Sequence, residues 1–190
     1  MTQQFARIPP PKIQTVAQKM PAKLSVGTVL YKAYAFFDDA TGRASTEIRE
    51  WHVRTIKKNR SDDAAPMIHL VVKVDGGTWG KLSKTSGDYG WLPAISADFR
   101  DSFVQGEYMG WGFATTPDKA LALEIGHTKH RINRYKAWDS EPGSIGFSDN
   151  INGCLVEIEA LERRKKTLAT KRKTAKAEKG QALLNEGPNH

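Results

Sequence analysis

The densest set of chemically active side chains in this sequence is a run of cations near the C-terminus. Between Arg163 and Lys179, nine basic residues stand against one acid. Lysine and arginine at this density bind phosphate backbones through counterion release, without dependence on base sequence. The run therefore predicts contact with nucleic acid, and docking on an acidic protein and simple solvation are the alternatives. The residues expected to make this contact are Arg163, Arg164, Lys165, Lys166, Lys171, Arg172 and Lys173.

A second set of cations lies on a predicted helix. His127, His130, Arg131 and Arg134 stand at i, i+3, i+4 and i+7, which places them on one helix face. A rigid row of cations suits successive phosphates, although cations near a helix C-terminus also suit the helix dipole. The spacing predicts a nucleic-acid-contacting face. A metal site is the weaker interpretation, because the two histidines lack a neighbouring cysteine or acid as further ligands, and we expect no metal or other cofactor.

The stretch GGTWGKLSKTSGDYGW, residues 76–91, combines glycines with aromatic and basic side chains. In one interpretation Trp79, Tyr89 and Trp91 stack on bases, each worth about 1–3 kcal/mol, while Lys81 and Lys84 hold phosphates. In the other, the glycines form a tight turn of a small sheet and the aromatic rings cover it as part of the core. The second interpretation is favoured, and the first stays open.

Candidate catalytic groups are scattered rather than organised into a motif. Glu50 and His52 alternate along a predicted strand, so they share a face and form a candidate acid–base pair. The sequence contains no phosphate loop, nucleophile elbow, zinc-protease motif or dinucleotide fingerprint. Cys154, in an apolar context, is typical of a buried small hydrophobic residue. No catalytic residue is assigned, and an enzyme of unknown reaction remains an alternative to a binding protein.

The charge of the chain is concentrated at its ends. The 190 residues carry a net charge of +8, of which residues 1–23 contribute +4, residues 162–190 contribute +6 and residues 24–161 contribute −2. The predicted body is therefore close to neutral. The single cysteine excludes an intrachain disulfide, and no apolar run reaches the length of a signal peptide or membrane span. We expect a cytoplasmic protein that does not contact membranes.

The elements that must position these residues predict an α+β fold. A small antiparallel sheet of three to five strands is packed by one main helix at 117–137, and a basic helical extension follows it. Strands are predicted at 25–37, 45–58 with a bulge between Ile48 and Trp51, 67–75 and 108–116, with a turn at 38–43 and a short helix at 96–103. The predicted organisation is a flexible basic arm (1–25), a core domain (26–139), a loop (140–153) and a basic helical tail (154–190).

The stretch WGKLSKTSGDYGW, with an apolar strand before it and SADFRDSF after it, resembles small uncharacterised accessory proteins of tailed bacteriophages. The resemblance covers about residues 28–135, and it implies action in an infected bacterial cytoplasm. The segments TWGKLSKTSGDYG and FATTPDKALAL are also similar to WGR-type DNA-binding modules, with Lys81 in the place of the signature arginine. That second similarity transfers no binding residue.

These observations predict a non-catalytic nucleic-acid-binding accessory protein, encoded by a phage, whose basic ends neutralise phosphates. The alternative is a protein–protein interaction module, or an inhibitor, that docks on an acidic host factor. In that alternative, exposed Trp51, Trp111 and Trp138 are the expected anchors.

Overall fold

The computed structural model describes residues 8–58, 65–72, 78–81, 89–92, 99–141, 144 and 146–185; for 78–81, 89–92 and 179–185 it describes the backbone alone. These residues form an α+β fold, as the sequence predicts. The elements in chain order are α1 (Ile13–Val16), β1 (Val29–Asp38), β2 (Arg43–Lys57), β3 (Met67–Val72), β4 (Thr78–Lys81), β5 (Tyr89–Leu92), β6 (Arg100–Val104), α2 (Pro117–Asp139) and α3 (Ser148–Asn185).

The larger sheet has the strand order β1-β2-β3-β6, and each neighbouring pair is antiparallel. A tight turn joins β1 to β2. In this turn the Asp38 carboxylate accepts hydrogen bonds from the Thr41 hydroxyl at 2.8 Å and the Ala40 N–H at 3.0 Å, and these bonds lower the pKa of Asp38. Gly42 has a φ of 64°, a conformation that glycine adopts without steric cost. The predicted turn at 38–43 is confirmed.

Each face of this sheet buries its own cluster, because alternate residues of a strand point to opposite faces. One face carries Leu30 of β1 and the β3 residues Ile68, Leu70 and Val72, which pack with Phe113. The strand predicted at 67–75 is therefore confirmed over residues 67–72, while 73–75 lie outside the described residues. The opposite face carries Ala33, with Tyr31 and Ala35 beside it, and it packs against the cluster that contains Leu121 of α2 and Leu161 of α3.

The bulge in β2 lies later than the sequence pattern indicates. Pairing with β1 continues without a shift from Arg43 to His52, so the bulge predicted between Ile48 and Trp51 is wrong. The apolar pattern changes there because both faces of the sheet are covered: Ile48 packs on the face that carries Ala33, and Trp51 packs on the opposite face with Leu30. The register shift lies between Val53 and Thr55, which makes Arg54 the extra residue of the bulge.

Helix α2, Pro117–Asp139, confirms the main helix predicted at 117–137. Thr116 is the N-cap, its side chain accepts a hydrogen bond from the Lys119 N–H, and Pro117 opens the helix. One stripe of the helix is buried at Leu121, Ile125, Thr128 and Ile132, and it becomes half-buried at Tyr135. Among the described residues, no helix is long and apolar enough to cross a membrane.

Helix α3 begins at Ser148, so the prediction of a loop through residue 153 is wrong. Gly153 suggested a loop, but it lies inside the helix where α3 packs closely on β1. A Cβ atom at this position would stand 2.9 Å from the ring of Phe37. The glycine therefore permits close approach of two elements rather than ending one.

Two further predicted elements are corrected by the structure. The short helix predicted at 96–103 is wrong over residues 100–103, since Arg100–Val104 is the edge strand β6 and places Phe103 opposite Ile68. The strand predicted at 108–116 is absent from the described residues. Tyr108 and Ala114 each form an isolated bridge, to Lys19 and Tyr31 respectively.

The N-terminal segment packs on the body from α1 onwards. Val16 is fully buried, and the Gln18 side chain donates to the Thr115 hydroxyl at 3.1 Å and accepts from the Thr115 N–H at 3.0 Å. A Cβ atom on Gly126 would stand 1.9 Å from the Thr15 carbonyl oxygen. The prediction of a flexible arm over residues 1–25 is therefore wrong for 13–20. This segment is held by individual contacts with residues far away in the sequence. Such contacts produce no periodic pattern of apolar residues, so the sequence does not indicate that the segment packs.

Candidate nucleic-acid interface

The distal part of α3 is an exposed basic helix. Leu161 is fully buried, Leu168 is half-buried against the α2 cluster, and the other side chains from 162 to 178 are exposed. The helix persists without a buried face because alanine, lysine, arginine and glutamate are strong helix formers. We call residues 163–178 the distal basic segment. Its cations are Arg163, Arg164, Lys165, Lys166, Lys171, Arg172, Lys173 and Lys176.

The cations of the distal basic segment have little internal compensation. Within the described part of the chain, their one ion pair joins Arg172 to Asp118, the acid in the first turn of α2. This pair and the pair between Arg131 and Glu157 show that α3 runs antiparallel to α2 along its length. Arg172 stays more than half exposed, and so the segment presents a rigid positive surface to solvent.

The predicted row on α2 forms, but its members interact mainly within the protein. Arg131 donates hydrogen bonds to Glu157 and to the Thr128 hydroxyl. The Arg134 guanidinium lies 4.8 Å from the ring centroid of Trp138, a cation–π distance. The row therefore carries less free charge than the sequence indicates, since two of its cations already have partners.

The two histidines of this row also have partners or a reduced charge. The His127 ring lies 5.2 Å from that of Trp111 and 3.7 Å from a Glu124 carboxylate oxygen. Burial lowers the pKa of His130, and the positive charge of Arg134 and the neighbouring His127 lower it further. The lowered pKa favours the neutral form of His130, which reduces the positive charge that it offers to a phosphate.

Glu157 is the residue that the sequence analysis missed. It is 6% exposed and pairs with Arg131. Burial raises the pKa of Glu157, while Arg131 opposes this shift. The sequence feature that could have identified Glu157 is its position. It is an acid between Cys154 and Leu161 on the buried stripe of α3. A lone acid in such a stripe indicates a buried cationic partner.

Within the glycine–aromatic stretch, the described residues form two paired strands, which we call the β4–β5 hairpin. Strands β4 and β5 pair antiparallel, with Trp79 opposite Trp91 and Lys81 opposite Tyr89. This agrees with the sheet interpretation of the stretch. The side chains of these four residues and the whole of Lys84 lie outside the described part of the chain, so base stacking and phosphate contact here stay predictions.

The cations of β2 do not extend the α2 row. Arg49 lies opposite Lys32, on the sheet face away from the one that packs against α2, with its guanidinium 4.8 Å from the Tyr34 ring centroid. Arg54 occupies the bulge, and Arg60 lies outside the described residues. Arg49 therefore forms no continuous basic surface with the α2 row.

The tryptophans proposed as protein-docking anchors differ in exposure. Trp51 is 3% exposed and packs edge-on against Phe113, so the expectation that it is exposed is wrong. Trp138 is half-buried against Tyr135 and Phe147, whereas Trp111 is 49% exposed. Trp111 alone of the three has the exposure that an anchor requires.

Comparisons with protein-family models, curated proteins and solved structures find no match for this chain. Among the described residues, no group of three or more histidines, cysteines, aspartates and glutamates is arranged to hold a metal ion.

His52 and Glu50 share a sheet face as predicted, with a ring nitrogen 2.8 Å from a carboxylate oxygen. His52 is buried and Glu50 is half-exposed, so the pair is a partly buried hydrogen bond on the helix-covered side of the sheet.

Proposed function

We propose that this protein is a non-catalytic nucleic-acid-binding protein whose main contact surface is the distal basic segment of α3. The observation that supports this proposal is a helix with eight exposed cations, one of which is ion-paired within the described residues. A helix of this kind neutralises several phosphates at once and releases their counterions. Its rigidity lowers the conformational entropy lost on binding, because the backbone is already ordered.

The other parts of the protein have secondary roles in this proposal. The α2 row adds at most weak contacts, because Arg131 and Arg134 already have internal partners. The β4–β5 hairpin adds base stacking if Trp79, Tyr89 and Trp91 present their rings to the nucleic acid. A cytoplasmic setting, in a phage-infected bacterium, belongs to the same proposal and is supported by the phage resemblance alone.

The proposal is tested by measuring the salt dependence of binding to a fluorescent duplex DNA. The test variant replaces Lys165, Lys166, Lys173 and Lys176 with glutamine, which leaves Leu168 and Arg172 in place. Each lost phosphate contact should make the slope of log K against log salt shallower by about 0.9, so we expect a total change of about 3 to 4 between about 50 and 200 mM salt. The matched control replaces Lys12, Lys23, Lys129 and Lys136, which are equally exposed.

The control variant has the same net charge as the test variant, so it separates position from total charge. We expect its slope to stay close to that of the wild type. Equal slopes for the two variants would show that any exposed lysine serves and would overturn the proposal. If the wild type instead retains a stoichiometric protein partner after nuclease treatment and shows no binding to nucleic acid, the acidic host factor is the better assignment.

A further inference from the structure

A small cavity of about 180 Å³ lies beside the bulge of β2, where β2, β3 and β6 are adjacent. Basic side chains dominate its lining. Arg54 and Lys57 of β2, His69 of β3 and Arg100 of β6 contribute to its wall, and Asp101 is the one acid among the described lining residues. The cavity is separate from the α2–α3 surface described above, because none of its lining residues belongs to a helix.

The bulge explains how Arg54 reaches this cavity. The Val53–Leu70 pair and the Thr55–His69 pair lie on either side of it, so Arg54 has no residue opposite it in the ladder. A bulge of this kind changes the direction of the extra residue's side chain, and bulges are enriched next to functional sites. The bulge therefore places the guanidinium of Arg54 at the cavity.

One donor of the Arg54 guanidinium lacks a partner within the described residues. Its Nε is buried and has no hydrogen-bond partner in that part of the chain. The Asp101 carboxylate is already used, because it accepts from Lys32 Nζ at 3.2 Å and from the Ser102 N–H at 2.8 Å. A buried N–H of a charged group without an acceptor is costly, and native proteins usually satisfy it with water or an ion.

We infer that this cavity is a binding site for an oxyanion of the phosphate class, with Arg54 as its principal ligand. A phosphate supplies acceptor oxygens for the planar guanidinium and a second charge partner for Lys57. The volume equals that of about six water molecules, at about 30 Å³ each, which accommodates a phosphate group with bridging waters. The same chemistry is offered by free phosphate and by the phosphodiester group of a nucleic acid.

This inference does not depend on the distal basic segment, and its test uses the full chain. Inorganic phosphate and a dithymidine monophosphate dinucleotide are each titrated by calorimetry at constant ionic strength. We expect saturable binding of at least one probe to the wild type. Saturation by phosphate alone identifies a free phosphate or phosphomonoester as the ligand, and saturation by the dinucleotide identifies a nucleic-acid backbone.

Three substitutions make the test specific for Arg54. Arg54→Gln should weaken binding by about tenfold or more, and Arg54→Lys should retain part of it, because a lysine keeps the charge but not the fork of donors. Arg43→Gln, an exposed arginine on the same strand, should bind as the wild type does. If Arg54→Gln does not fold, Lys57→Gln, which alters an exposed residue of the wall, is expected to weaken binding in its place.

Two results would overturn the inference. One is that neither probe binds the wild type with saturation. The other is that Arg54→Gln binds as tightly as Arg43→Gln, which would make the cavity a packing defect. The four-lysine α3 variant is expected to bind phosphate as the wild type does, so failure of this inference and failure of the proposed function are distinguishable.

Discussion

Helices α2 and α3 both carry clusters of cations, but the structure gives these clusters different surroundings. On α2, Arg131 pairs with the buried Glu157 and Arg134 stacks on Trp138. On α3, the distal basic segment lies beyond the last fully buried residue, Leu161, and only Leu168 within it is partly buried. Its cations are exposed, and Arg172 remains more than half exposed although it pairs with Asp118. The number of cations in a segment therefore does not measure the positive charge available to a binding partner. That charge depends on the acidic side chains and aromatic rings that lie next to each cation in the folded protein.

Two glutamates on α3 provide the largest expected contrast. Glu157→Ala should lower the free energy of unfolding by about 2–3 kcal/mol, because it leaves Arg131 without its buried carboxylate partner. Glu178→Ala removes an exposed carboxylate and should change this free energy by less than about 0.5 kcal/mol. Urea denaturation measures both. Similar losses for the two variants would contradict the difference drawn between the proximal and distal parts of α3.

Two glycines offer a second contrast, because Gly126 lies against the N-terminal segment and Gly106 has no atom near it. Gly126→Ala would place a Cβ atom against the Thr15 carbonyl oxygen and should destabilise the protein by about 1–2 kcal/mol, after the gain in helix propensity is subtracted. Gly106→Ala meets no atom within 4 Å and serves as the control. Thermal unfolding compares the two variants. If the Gly126 variant is as stable as the control, the packing of residues 13–20 on α2 is contradicted.

One arginine from each helix gives the smallest but most selective contrast. Arg134→Gln should cost about 0.5–1 kcal/mol of stability through the lost Trp138 contact, with little change in DNA binding. Arg164→Gln should leave stability unchanged and make the salt slope shallower by about 0.9. The two effects are thus expected to separate. If Arg134→Gln changes the slope as much as Arg164→Gln does, the α2 row is a primary contact surface.

The sequence predicted those features that depend on neighbouring residues. The cap and first turn of α2 follow from Thr116, Pro117 and Asp118, and the turn after β1 follows from Asp38 and Gly42. These signals are local, because each residue acts on backbone within a few positions of itself. The sequence also predicted an exposed helix at residues 163–178, because that stretch has almost no apolar side chain to bury.

The features that the sequence did not predict depend on residues far apart in the chain. Gly153 suggested a loop, because the ring of Phe37 that requires a glycine there lies on β1. The bulge at Arg54 is fixed by pairing with β3, and the docking of Gln18 is fixed by Thr115. The cavity at Arg54 requires three strands to be assembled. Periodicity within one segment contains no information on these partners.

Lysine footprinting with and without nucleic acid distinguishes α3 from α2 as the contact surface, because it reports the accessibility of each amine. Duplex DNA is added at low salt, the lysines are methylated, and modification is quantified by mass spectrometry. The lysines to compare are Lys165, Lys166, Lys171, Lys173 and Lys176 on α3, and Lys119, Lys129 and Lys136 on α2. We expect DNA to protect the α3 set, with protection lost at high salt, and to leave the α2 set modified. Protection of the α2 set with full modification of the α3 set would contradict the account.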